Sequence, residues 1–136
     1  MIRKFSHAGI AVNDLDASVK LFEKLFGAKA SGTEEVKDQR VKIAFFHIGD
    51  GSIELTQASE PDSPIAKYIL RRGEGVHHLS FEVDDIRAEI SRLKREGFQM
   101  IDEEPRIGAG GTLIAFVHPK STNGVLVEIS QTRGGA

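Results

Sequence analysis

With 136 residues, 40% of them apolar, the chain is long enough to bury one hydrophobic core. Its 18 Lys and Arg against 20 Asp and Glu leave a formal net charge of −2, too little field to grip nucleic acid or an anionic membrane. The absence of cysteine excludes disulfides, a thiolate nucleophile and a cysteine-bound structural zinc, so any metal must sit on His and carboxylate ligands.

The N-terminus runs straight into an apolar alternation with no signal-peptide h-region, and no apolar run approaches the ~20 residues of a membrane span. A cytoplasmic location is the expectation. In chain order, His7-Ala-Gly-Ile-Ala-Val reads as a strand, followed by the helix N-cap candidates Asn13 and Asp14. Leu15, Val19 and Phe22 then share one helical face, and Gly27 supplies a C-terminal stop. A weakly marked strand at 32–36 precedes two clear ones, Val41–Ile48 and Ser52–Thr56, joined by Gly49-Asp50-Gly51. Ser63-Pro64 opens a short helix over about 64–72 that ends at Gly73.

The pattern then repeats. His78-Leu-Ser-Phe-Glu-Val lies about seventy residues after its counterpart and meets Asp84-Asp85, and the next helix carries Ile86, Ile90 and Leu93 on one face. That helix stops at Gly97, a weak strand is expected at Met100–Glu103, and Leu113–His118 and Val125–Ser130 complete the half. The tail from Thr132 is expected to fray. The expected fold class is α+β: two pseudo-symmetric βαβββ modules forming one curved mixed sheet around a central metal cleft. A single domain, 1–136, would hold module one at about 4–58, a connecting helix at about 62–73, and module two at about 75–131.

Strand parity sorts the polar residues, because alternate side chains face opposite ways. Ala8, Ile10 and Val12 form the helix-covered set, and His7 lies on the other face with Phe5, Gly9 and Ala11. In the second copy His77, Leu79, Phe81 and Val83 share the core face, while His78, Ser80 and Glu82 oppose them. His78 is therefore the counterpart of His7, and His77 a packed neighbour. Glu54 and Glu128 sit between aliphatic residues, in Ile-Glu-Leu and Val-Glu-Ile, where a lone carboxylate is costly unless paired or metal-bound. Singly, a strand His or Glu is more often structural. Four of them at equivalent places in a repeat point to one divalent-metal site with His7, Glu54, His78 and Glu128 as ligands.

The remaining candidates carry less. His47 and His118 precede matching turns and suit a rim or substrate contact. Gly108-Ala-Gly-Gly111 lacks the Lys-Ser/Thr of a P-loop, yet the backbone N–H groups of Gly110 and Gly111 could hold a carboxylate or thioester oxygen. Lys120 and Arg106 are candidates for substrate anions. No serine stands in a nucleophile-elbow context.

These residues resemble the vicinal-oxygen-chelate superfamily, which also takes in glyoxalases, bleomycin-resistance proteins and extradiol dioxygenases. Within it the chain resembles the methylmalonyl-CoA epimerases from about Phe5 to Gln131. Beyond the ligand pattern, the resemblance rests on Asp62-Ser-Pro-Ile-Ala-Lys67, Gly75-Val-His-His-Leu79, Asp102-Glu-Glu-Pro-Arg106, Ile107-Gly-Ala-Gly-Gly111, His118-Pro-Lys-Ser121 and Gly124-Val-Leu-Val-Glu128. It implies a metal-dependent isomerase of propionate metabolism, a homodimer acting on an acyl-CoA substrate. The ion would be divalent: Co²⁺ first, with Zn²⁺, Ni²⁺, Mn²⁺ or Mg²⁺ as alternatives. Some relatives carry a further glutamate, proposed as a base, on the strand after the first helix; here that strand reads Gln39-Arg-Val-Lys-Ile-Ala44. Glu54 and Glu128 are therefore expected to serve as the two catalytic bases as well. The alternatives are a glyoxalase I-type lactoylglutathione lyase and a non-catalytic binding protein of the bleomycin-resistance type. An extradiol dioxygenase fits less well, since it needs only two His and one Glu.

Overall fold

A computed structural model describes residues 1–133. Of the tail expected to fray, Thr132 and Arg133 are tied down, by hydrogen bonds to Glu82 and to the Gly111 carbonyl; 134–136 lie outside the described residues. The chain divides into two compact units, one of His7–His77 and the other of Met1–Ser6 with the chain from His78 onward. The division cuts through the first and fifth strands.

The first unit contains α1 (Leu15–Phe26), β2 (Gly32–Val36), β3 (Val41–Ile48), β4 (Gly51–Ala58) and α2 (Pro64–Arg72), together with the second half, His7–Ala11, of β1 (Ile2–Ala11). Its strands run in the order β2-β3-β4-β1, with β1 and β4 parallel and the other pairs antiparallel. The second unit is built from His78–Val83 of β5 (Gly75–Val83), α3 (Ile86–Arg95), β6 (Arg106–Ile107), β7 (Leu113–Val117) and β8 (Val127–Gln131), in the order β5-β8-β7-β6. Here β5 and β8 are the parallel pair. The expected α+β class and its two βαβββ modules are both present.

Local sequence chemistry sets the element ends. Asp14 and Asp85 cap α1 and α3, each side chain accepting the N–H three residues on at 3.1 Å. Gly27 closes α1 in the left-handed region at φ 66°, where a Cβ would be strained. A second tie is shared by both modules: the Leu15 N–H donates to the Gln57 side chain at 2.6 Å, and the Ile86 N–H to Gln131 at 2.8 Å. Each helix start is thereby fastened to the last strand of its own module.

One expectation fails. The strand foreseen at Met100–Glu103 is reduced to a bridge between Met100 and Val117, and the edge strand lies instead at Arg106–Ile107. The Asp102 carboxylate takes the Phe116 N–H at 2.9 Å, so a side chain replaces the backbone partner and the chain leaves the ladder. Pro105, with no N–H to give, keeps it out until Arg106.

Each module has its own core on the helix-covered face. Val12, Leu15, Ala44, Phe46 and Leu55 form one, with Phe22 and Phe26 packed against it. Val83, Ile86, Ile90, Leu93, Ala115, Val117 and Ile129 belong to the other. Both sets have the parity opposite to Glu54 and Glu128, which consequently emerge on the face away from the helices. Leu55 is fully buried, so Leu55→Ala is expected to cost about 2–5 kcal/mol of unfolding free energy in urea titrations. Leu21→Ala, on an exposed face of α1, should cost less than about 0.5 kcal/mol; equal costs would contradict this assignment of the core.

Candidate functional site

In the first module β1 and β4 run parallel with Gly9 opposite Glu54 and His7 opposite Ser52. His7 thus stands one pleat from Glu54 on the same face, and its Nδ1 lies 3.1 Å from a carboxylate oxygen of Glu54. Both residues are buried. Burial holds the His7 pKa down at about 4, so the imidazole is neutral near pH 7 and keeps a lone pair to offer. The 3.1 Å separation suits a hydrogen bond. It equally suits two donors sharing a cation at right angles, since bonds of about 2.1 Å put such neighbours about 3 Å apart.

The second module repeats the arrangement. Ser80 is opposite Glu128 in the β5–β8 register, the place that Gly9 holds beside Glu54. His78 precedes Ser80 by two residues, as His7 precedes Gly9. On the other flank Phe116 is opposite Glu128, and Phe45 is opposite Glu54. His78 and Glu128 present ligand atoms within 4.8 Å of each other. The His78 ring stands edge-on to Phe116, with centroids 5.6 Å apart.

Glu128 is almost wholly buried, and desolvation pushes its pKa up to about 7. The Ser80 hydroxyl beside it, close but not well aligned as a hydrogen bond, and the Arg106 guanidinium pull the other way; the Asp102 charge adds to the rise. A carboxylate in this position strongly favours a nearby cation. His77 packs against α2, its ring edge-on to Tyr68 with centroids 4.8 Å apart. The separation of His77 from His78 by parity is realised.

The weaker candidates occupy turns. His118 accepts the Lys120 N–H on its Nδ1 at 3.0 Å, capping the short helical turn Pro119–Ser121, and Lys120 is exposed. Gly110 and Gly111 adopt φ 67° and 75°, and the Gly111 carbonyl accepts from Arg133. Gly108 is there for packing: a Cβ on it would come within 2.8 Å of Ile114. His47 is exposed at the end of β3.

Four participants escaped the sequence reading. Gln57 and Gln131 are legible in retrospect as Glu-Leu-Thr-Gln and Glu-Ile-Ser-Gln, an extension of the repeat. Phe45 and Phe116 needed the strand register. On β3 the residues sharing Glu54's face are Val41, Ile43, Phe45 and His47, so no carboxylate of that strand joins it.

A family model for the glyoxalase/bleomycin resistance protein/dioxygenase superfamily matches residues 6–116. The human mitochondrial methylmalonyl-CoA epimerase is 35% identical over 129 residues, covering 94% of this chain and 73% of that protein. An ethylmalonyl-CoA/methylmalonyl-CoA epimerase of Cereibacter sphaeroides is 37% identical over 133 residues, covering 96% and 99%. The solved structure of a Streptomyces coelicolor methylmalonyl-CoA epimerase variant in complex with 2-nitronate-propionyl-CoA superposes with a TM-score of 0.94 at 32% identity, covering 98% of this chain and 97% of that one. By sequence and by fold, this chain belongs to the glyoxalase/bleomycin resistance protein/dioxygenase superfamily.

Proposed function

We propose that the chain is a methylmalonyl-CoA epimerase, a cytoplasmic homodimer that interconverts the (2R) and (2S) forms of its substrate by proton transfer at C2. The observation that carries this reading is the matched pair of buried His–Glu half-sites, in a chain 37% identical along nearly its whole length to an ethylmalonyl-CoA/methylmalonyl-CoA epimerase. No helix among the described residues is long and apolar enough to cross a membrane.

The donor set fits a divalent ion. His7, held neutral by burial, His78 and two buried carboxylates, Glu54 and Glu128, are hard-to-borderline donors suited to Co²⁺, Zn²⁺, Ni²⁺, Mn²⁺ or Mg²⁺, with Co²⁺ as our first choice. Such an ion would supply Lewis-acid stabilisation for the negative charge that gathers on the thioester oxygen when C2 loses its proton.

The chain's own part is proton transfer in a dry site. One carboxylate takes the C2 proton, and the electron pair left behind spreads into the thioester and carboxylate oxygens as an enediolate. The carboxyl group on the opposite face then returns a proton, inverting C2. Glu54 and Glu128 are assigned these two roles because Ile43 stands where β3 could have offered another acid. Phe45 and Phe116 wall the two carboxylates and limit their hydration, which favours proton transfer over exchange with bulk water.

Protein purified without chelator is expected to carry about one divalent ion per chain by elemental analysis, and His7→Ala or His78→Ala to lose it. In deuterated water, Glu54→Gln should slow C2 exchange by about 10²–10⁴-fold from one epimer more than from the other. Wild-type exchange from both epimers would remove Glu54 as a base. Turnover of a glutathione hemithioacetal, with none of (2S)-methylmalonyl-CoA under any metal, would favour the lyase.

Glu128 also sets a pH dependence. Folded, it holds its proton up to about pH 7 against 4.5 for a free carboxyl, so metal-free protein loses stability as pH rises through that window. His7 acts in the opposite sense, its stabilising contribution falling as pH drops from 6.5 toward about 4. In chelator, Glu128→Gln should therefore gain on the wild type between about pH 5 and pH 8 in urea unfolding. A pH-independent difference would mean that Glu128 is not desolvated. Adding the ion should raise the melting temperature of the wild type well above that of the variant.

A further inference from the structure

We propose that Arg106 reads the free carboxylate of the substrate, making it a specificity-determining residue beside Glu128. The inference rests on the epimerase reading above and adds to it the group that distinguishes a malonyl-type acyl-CoA from a plain acyl-CoA.

Strand register places Arg106 first. Arg106 is opposite Ile114 on β7, Ile114 is opposite Ser130 on β8, and Phe116 is opposite Glu128. Paired residues share a face and alternate residues return to it, so Arg106 emerges on the side of the sheet that carries Glu128. Its backbone is two strands away from β8, and a guanidinium left to itself would extend into water. Asp102 prevents that. One oxygen of Asp102 accepts the Phe116 N–H at 2.9 Å, and the other lies 2.9 Å from the Arg106 Nε. Because Phe116 is the direct neighbour of Glu128, this contact keeps the guanidinium on Glu128's side of the sheet, beside the strand that pairs with β8.

The guanidinium meets Asp102 along one edge, at ion-pair distance but not aligned as a hydrogen bond. Its Nε is buried, whereas the side chain as a whole is 39% exposed, so the exposure lies on the other atoms. The terminal amino groups make no ion pair among the described residues. A planar fork with one edge against the Asp102 carboxylate and the other edge open is prepared for a second, planar anion. The Asp102 charge also offsets the pull of Glu128, which discourages collapse of Arg106 onto the base.

Position selects the anion. In methylmalonyl-CoA the phosphates lie at the far end of the pantetheine arm, whereas the free carboxylate is one bond from C2. An arginine on the same face of the sheet as the carboxylate that exchanges the C2 proton, two strands from it, can reach only the latter.

Malonyl-CoA and propionyl-CoA differ in that carboxylate, and their binding to the metal-loaded protein separates the cases. Arg106→Gln is expected to weaken malonyl-CoA by about tenfold or more while leaving propionyl-CoA within about twofold. The KM for methylmalonyl-CoA should rise in parallel, with metal content unchanged. Arg106→Lys, which keeps the charge and guards against misfolding, should show the same selective loss to a smaller degree. Equal weakening of both ligands would make Arg106 a structural tie between β6 and the Asp102 turn, and no weakening of either would leave it a surface residue; both results overturn the proposal. A wild type inactive as an epimerase would defeat the functional reading instead, and the ligand contrast would still report on Arg106 alone.

Discussion

A carboxylate buried on the helix-free face of each module is the constraint around which the chain is organised. Glu54 and Glu128 sit in the middle of aliphatic strands, 8% and 5% exposed, where an ionised group without a partner would cost more than one strand's hydrogen bonds return. Three features make the placement tenable. The parallel pairing of the first and last strand of each module brings a histidine within one pleat, a phenylalanine on the antiparallel side limits water, and the opposite face of the same strand is anchored in a core. The helices serve the sites indirectly. Gln57 and Gln131 bind each helix start to the strand that holds the acid, so helix docking and carboxylate position are fixed together.

The two half-sites share a plan but not an environment. Glu54 faces bare glycine at position 9, with the His7 Nδ1 3.1 Å away. Glu128 faces the Ser80 hydroxyl and has a cation and an anion, Arg106 and Asp102, within electrostatic reach. A duplicated module can tolerate such divergence because strand register, set by backbone pairing, survives a change of side chain. Two acids in separate surroundings need not have equal basicity, and each can be tuned independently of the other.

Much of this could be read in advance. Val41–Ile48 and Pro64–Arg72 fall where alternation and the Ser-Pro start placed them, and the caps at Asp14 and Asp85 follow from side-chain chemistry within three residues. These are local effects, and a local effect leaves its signature in the sequence. The edge of the second module was misplaced for the complementary reason. Whether Met100–Glu103 forms a strand depends on what the Phe116 N–H chooses as an acceptor, and Asp102 outcompetes the backbone in a way no alternation pattern records.

The sequence by itself determined the duplication, the parity that selects His78 over His77, and the two carboxylates placed in apolar strands. Each follows from a period-two side-chain rule applied to residues close in the chain. Only the tertiary structure decided what stands beside those carboxylates: Gly9 and Phe45 for one, Ser80, Phe116 and the Asp102–Arg106 clamp for the other. Those neighbours come from strands far apart in the chain, and their meeting depends on ladder register and on competition for single hydrogen bonds, neither of which one sequence encodes locally.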